Sequence, residues 1–173
     1  DAMIRSAEKL GANVIPVFHL RYRDKSRGNR GAEYAAETFF MKQGKPIIDV
    51  LLTPMMFSLT LTDPSCKELY AKLNVPVIQA MMTMQPLESW KEEVQGMTIM
   101  EVSFSAAQPE FDGNLISVPI ASREQDTTDP LTGALISRYM PIPDRVDRVV
   151  NLAINWAGLS KKENSQKKIA IVF

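Results

Sequence analysis

Short apolar runs alternate along the first half of the chain with segments whose apolar residues recur at helical spacing. Met3, Ile4, Ala7 and Leu10 share one helical face, and Gly11 stops the pattern. Asn13 to Phe18 is a compact apolar run that predicts a buried parallel strand. Arg21 to Arg30 is polar and basic with Gly28 inside it, so it predicts a loop, either solvated or touching an anion. A helix over 32–41 follows, with Ala35, Ala36, Phe39 and Phe40 on its apolar side. Gly44 and Pro46 end it before a second strand, Ile47 to Leu52. Asp63 as N-cap and Pro64 at the first helical position open another helix, packed by Leu69, Tyr70 and Leu73. Asn74 closes it, and Val75 to Ala80 reads as a third buried strand.

Helix, short loop and apolar strand thus repeat three times, which predicts an α/β, doubly wound, mostly parallel sheet with right-handed crossovers. A flavodoxin-like arrangement is the expected member of that class. Because the pattern opens on a helix, the first strand of the sheet is expected to be missing. Beyond residue 80 a helix is expected over 86–94, carrying Trp90. Thr98 and Glu101 have capping-box spacing, which predicts a helix from Ile99 towards Ala106, with a strand through Val102 to Phe104 as the alternative. Gln108 to Gly113 then reads as a sharply shaped turn. Leu115 to Ile120 is extended, and Pro119 hints at a sheet edge. Ser122 to Gly133 reads as a polar loop and Leu135 to Tyr139 as a returning strand. The longest helix is expected over 143–159, with Val146, Val149, Val150, Ala153 and Ala157 as its apolar stripe. Lys168 to Phe173 reads as a final strand. The division expected is an α/β unit over 1–122, including the acidic turn, followed by 123–173, whose last strand opens a further domain. The whole is expected to be a piece of a longer, multidomain polypeptide.

Composition narrows the functional classes. Twenty basic and twenty acidic residues cancel over 173 positions, so no global field favours nucleic acid or an anionic membrane. No apolar run reaches the ~20 residues that a bilayer span needs. One cysteine and one histidine exclude an internal disulfide and a histidine cluster, and the expected compartment is the cytoplasm.

Two stretches carry candidate chemistry. In Pro109-Glu110-Phe111-Asp112-Gly113, two carboxylates two residues apart point the same way if the backbone is locally extended. Such a pair could ligate a metal, hold a cation or take up protons, or it could be an ordinary solvated turn. Thr53 to Thr60 lies just past the carboxyl end of a predicted strand, where open α/β sheets bind ligands. Its Met-Met-Phe content could cover a flat apolar ligand or bury itself against a neighbouring domain.

The order of motifs is more specific than any one of them. Pro109 to Gly113 precedes Asp126 to Thr132, then Pro143-Asp144-Arg145-Val146, Asn155-Trp156 and Lys167 to Phe173. In this order the chain resembles the large subunits of cobaltochelatase and magnesium chelatase. Those proteins carry a Pro-Glu-x-Asp-Gly turn, an Arg-Val…Asn-Trp-Ala-x-Leu helix and a strand opening the next domain. The resemblance covers essentially the whole chain, which would be a small part of such a subunit. Thr53-Pro54-Met55-Met56 departs from the more polar, glycine-containing loop of the pattern.

The resemblance implies ATP-dependent insertion of Co²⁺ or Mg²⁺, as substrate metal, into a corrin or porphyrin ring. It implies tetrapyrrole binding by the large subunit and ATP bound by separate AAA+ ATPase subunits, not by this chain. A Gly-x-x-x-x-Gly-Lys-Ser/Thr phosphate loop does not occur in the sequence. Metal insertion strips water from the ion and removes two pyrrole protons, and carboxylates serve both tasks. On this footing Glu110 and Asp112 are the candidates for metal delivery or proton removal, and His19 is a further metal ligand or a hydrogen-bonded loop histidine. Arg21, Arg23 and Arg123 are candidates to pair with ring carboxylates. Two rival readings are a structural or docking module, with metal and ring held elsewhere in the subunit, and a flavodoxin-like domain for a flavin or nucleotide.

Overall fold

The computed structural model describes residues 1–19, 23–94 and 96–172. In chain order its helices and strands are α1 (Ala2–Lys9), α2 (Gly31–Phe39), a short hairpin of β1 (Met41–Lys42) and β2 (Lys45–Pro46), β3 (Leu51–Thr53), α3 (Leu59–Thr62), α4 (Leu69–Leu73) and β4 (Val77–Gln79). After these come α5 (Leu87–Glu92), α6 (Ile99–Val102), a π-helical segment (Ser103–Ala107), α7 (Gln108–Phe111), β5 (Leu115–Ile116), β6 (Ala121–Thr128), β7 (Leu135–Pro141) and α8 (Pro143–Ser160).

β3, β4 and β5 form a parallel sheet in that spatial order, with Leu51 opposite Val77 and Ile78 opposite Leu115. Successive strand residues point to opposite faces, and both faces are covered. Leu52, Ile78 and Leu115 turn into one core with Ala7 of α1 and Val146, Val149, Val150 and Ala153 of α8. Leu51 turns the other way, into a second core of Ala32, Ala36, Leu59, Leu69 and Leu73 from α2, α3 and α4. Four residues of the α8 stripe read from the sequence, Val146, Val149, Val150 and Ala153, are therefore buried, and Ala157 is half-buried. The Ser6 hydroxyl donates to Asp147 at 2.6 Å and fixes α1 on α8. The parallel α/β class is borne out, and β5, the strand before Pro119, lies at the sheet edge.

Several expectations are corrected. Residues 13–18 join no strand ladder among the described residues and are not buried as a run: Val14 packs against the α8 core, while Ile15 and Phe18 are exposed. Ser122 to Thr128 is not loop: β6 pairs antiparallel with β7, Ala121 opposite Pro141 through Thr128 opposite Leu135. Residues 168–172 form no strand, and Ile169, Ile171 and Val172 are exposed. Gln108 to Phe111 is the last turn of a helix rather than a loop, and only Asp112-Gly113, with Gly113 at φ +84, breaks away. Among the described residues no helix is long and apolar enough to cross a membrane.

Ile78 is fully buried at the centre of the sheet. Replacing it by alanine is expected to cost about 3 kcal/mol through lost transfer energy and a residual cavity, read as a lowered urea midpoint.

Candidate functional site

The three parallel strands end on one edge at Thr53, Gln79 and Ile116, the edge where open α/β sheets place their ligands. Two loops leave it. The first, residues 54–58, is held by a chain of side-chain amides. Asn114 donates to the Gln79 side-chain oxygen at 3.0 Å, and Gln79 donates to the Met55 carbonyl at 2.9 Å. Gln79 is fully buried, so these bonds satisfy polar groups that water cannot reach.

The far end of this loop is fastened by the helical run 99–111. Pro109 has no N–H to give, and its ring crowds the carbonyl four residues back. The helix responds with a π segment in which Gln108 N–H reaches the Ser103 carbonyl. That register leaves the Phe104 carbonyl without a helical donor, because Gln108 is engaged and residue 109 is proline. The Phe57 N–H fills the vacancy at 2.6 Å. The Phe57 and Phe104 rings pack with centroids 4.7 Å apart, tilted by 43°, and Phe57 sits at φ +65, a conformation a bulky residue adopts only under constraint.

Asp112 completes the fastening. Its carboxylate accepts the Ser58 hydroxyl at 2.7 Å, the Leu59 N–H at 2.5 Å, the Thr60 N–H at 3.3 Å and the Thr60 hydroxyl. Ser58 is itself the N-cap of α3, accepting from Leu61 N–H at 3.0 Å. Asp112 therefore supplies a second cap from another part of the chain, with its negative charge at the positive helix end.

Glu101 does the same for the second loop, residues 80–85. Its side chain is in the capping box with Thr98, and one oxygen also accepts the Thr83 hydroxyl at 2.7 Å and the Met84 N–H at 2.5 Å. Burial raises the Glu101 pKa, but the bonds from Met84, Thr98 and Thr83 outweigh it and hold the carboxyl below its ordinary range.

The sequence-derived candidates are placed as follows. Glu110 and Asp112 lie at a helix end, where residues two apart face different ways. Asp112 is turned onto α3 and Glu110 is exposed to solvent. His19 is half-buried and interacts with a neighbour. Arg23 lies by the start of α2, in a shallow depression with Arg30, Glu33 and Tyr34. Arg123 is exposed on β6, its N–H bonded to the Gln85 carbonyl at 3.1 Å, which sets it beside the second loop. Arg21 lies outside the described residues. Among the described residues no three histidine, cysteine or acidic side chains gather as a metal site.

A model of the CobN/magnesium chelatase family matches residues 1–173. The chain belongs to that family. It is 35% identical over 99% of its length to an uncharacterised protein of Methanocaldococcus jannaschii, of which it spans 14%. It is 28% identical over 98% of its length to the chloroplastic magnesium-chelatase subunit ChlH of Oryza sativa, of which it spans 12%. Among solved structures, the catalytic subunit of cobaltochelatase from Mycobacterium tuberculosis superposes with a TM-score of 0.67 at 22% identity. That match covers 96% of this chain and 14% of the other, and it confirms the fold. The chain thus spans about one seventh of the length of these family members.

Asp112→Ala leaves the Ser58 and Thr60 hydroxyls and two amides without their acceptor. It is expected to cost about 2 kcal/mol in denaturant unfolding, with Asp112→Asn recovering part of the loss. Glu101 has a lowered folded pKa, so its stabilisation is complete above the ordinary glutamate range and is lost as pH falls through the folded value. The stability gap between wild type and Glu101→Gln is expected to be full at neutral pH and to close on acidification, measured by urea unfolding across pH 2–7.

Proposed function

We propose that this chain is part of the tetrapyrrole-binding large subunit of an ATP-dependent chelatase that inserts Co²⁺ or Mg²⁺ into a corrin or porphyrin ring. ATP is bound by AAA+ partner subunits and the divalent ion is substrate. The family match over the full 173 residues is the observation that carries this reading. The local geometry supports a division of labour between the two acids. Asp112 is committed to four donors on α3, so it acts as the residue that positions the sheet-edge loop. Glu110 is the exposed carboxylate on the adjoining turn, available to carry an ion or to accept a pyrrole proton. Arg123, beside the second loop, is the better placed of the described arginines to meet a ring carboxylate at this edge. His19 and Arg23 remain proposals of the same kind from the first third of the chain.

A docking role is favoured by one specific observation. In α6 the apolar Ile99 and Met100 are 78% and 66% exposed, whereas the charged Glu101 is 2% exposed. A helix so arranged presents an apolar face to whatever adjoins it.

The two readings separate in the full-length subunit assayed with its partners. Glu110→Gln is expected to lower metal insertion, followed by tetrapyrrole absorbance, by about a hundredfold if the carboxylate moves a proton. Unchanged turnover assigns the fragment to docking.

A further inference from the structure

We infer that the helical run 99–111 is a register switch that fastens and releases the strap of residues 54–60. The Phe104 carbonyl stands between two donors. In the observed π register it accepts the Phe57 N–H, while Gln108 N–H serves Ser103. In a regular α-helix Gln108 N–H would close on the Phe104 carbonyl, four residues back, and compete with Phe57 for it. The exchange moves the Gln108 N–H from the Ser103 carbonyl to the Phe104 carbonyl and frees the Phe57 N–H.

The rest of the geometry follows that choice. A π turn holds one residue more than an α turn, so its removal rotates α7 by about 100° against α6. Asp112, two residues after Gln108-Pro109-Glu110, rides on that turn and leaves the Ser58–Thr60 end of α3. Both fastenings of the strap, Phe57 on Phe104 and Asp112 on α3, therefore let go in one movement. The rotated turn also redirects Glu110.

Features that oppose each other keep the two registers close. The fastened state is favoured by the Asp112 bonds, the ring contact and Pro109, whose ring collides with the Ser105 carbonyl only in the α register. It is opposed by the left-handed Phe57 and by the Ser105 hydroxyl, buried with no hydrogen-bond partner. The shift relieves the backbone strain at Phe57, which offsets part of what the released bonds contributed. The switch stands on this geometry alone and holds whatever the sheet edge binds.

Hydrogen–deuterium exchange by mass spectrometry on the full-length subunit tests it. Pro109→Ala removes the wedge and adds an N–H that the Ser105 carbonyl accepts in the α register. In the π register the same N–H would take the Phe104 carbonyl and free Phe57 alone, so faster exchange at Leu59 and Thr60, whose amides Asp112 holds, is the mark of the register shift. The variant is expected to exchange at least tenfold faster over residues 54–60, with residues 76–81 in the sheet unchanged. An unchanged 54–60 segment, or an equal acceleration over 76–81, overturns the switch. The wild-type subunit provides the second measurement. Across sub-denaturing urea, peptides covering 54–60 and 104–112 are expected to open along one common isotherm, below that of 76–81. Separate isotherms for the strap and the helix overturn the proposal even where the variant does not fold.

Discussion

The carboxylate of Asp112 sits at the start of a helix only four residues long, and much of the sheet edge depends on that meeting. A helix this short closes few backbone bonds, Asp63 N–H on the Leu59 carbonyl at 2.8 Å among them, and has no stability of its own. Ser58, Leu59 and Thr60 would present two hydroxyls and two amides to a largely dry junction. Asp112, 54 residues further along than Ser58, takes up all four. Long-range polar contacts of this kind do more than stabilise: they dictate which loop conformation is compatible with the fold. The Met-Met-Phe stretch is shaped from its far end, through the cap, as much as from the strand that launches it.

Glu101 repeats the device on the neighbouring loop, with a capping box that looks local and a second set of donors that is not. The edge of the sheet is thus organised by two acids projecting from opposite ends of one helical run. Each is met by backbone amides and hydroxyls rather than by a basic side chain, and among the described residues neither is in an ion pair. At Glu101 these donors outweigh burial and favour the charged form.

How much of this was legible varies with range. The strands β3 and β4 came from apolar runs, α8 from its stripe, and α6 from the Thr98–Glu101 spacing, all local signals. The apolar run at 13–18 predicts a buried strand, yet Ile15 and Phe18 are exposed and no ladder forms: apolar composition fixes neither a pairing partner nor burial. The β6–β7 ribbon was misread as loop because it stands exposed on much of both faces, so polar residues cost it nothing and its ladder is all backbone. Pro109 was read as the mark of a turn; a helix can absorb a proline by adding a residue, and no local pattern announces that. The same error placed Glu110 and Asp112 side by side. Two-residue spacing joins side chains on a strand and parts them on a helix. Thr53 to Thr60 stands out in the sequence as a strand-end loop, but the partners of Phe57, Ser58 and Thr60, and of Gln79 on the next strand, do not, since they lie far along the chain.

The inverted exposure of α6 has a consequence for handling the polypeptide. Ile99, Met100 and Val102 lie outward with Phe111 on the same helical run also largely bare, while the acid that would keep such a helix wetted is spent inside. Colloidal behaviour is then set by a few side chains outside the core. Sulfate and other excluded salts, which tighten the fold, will at the same time drive these faces together, so conditions that protect the native state are those under which it salts out first.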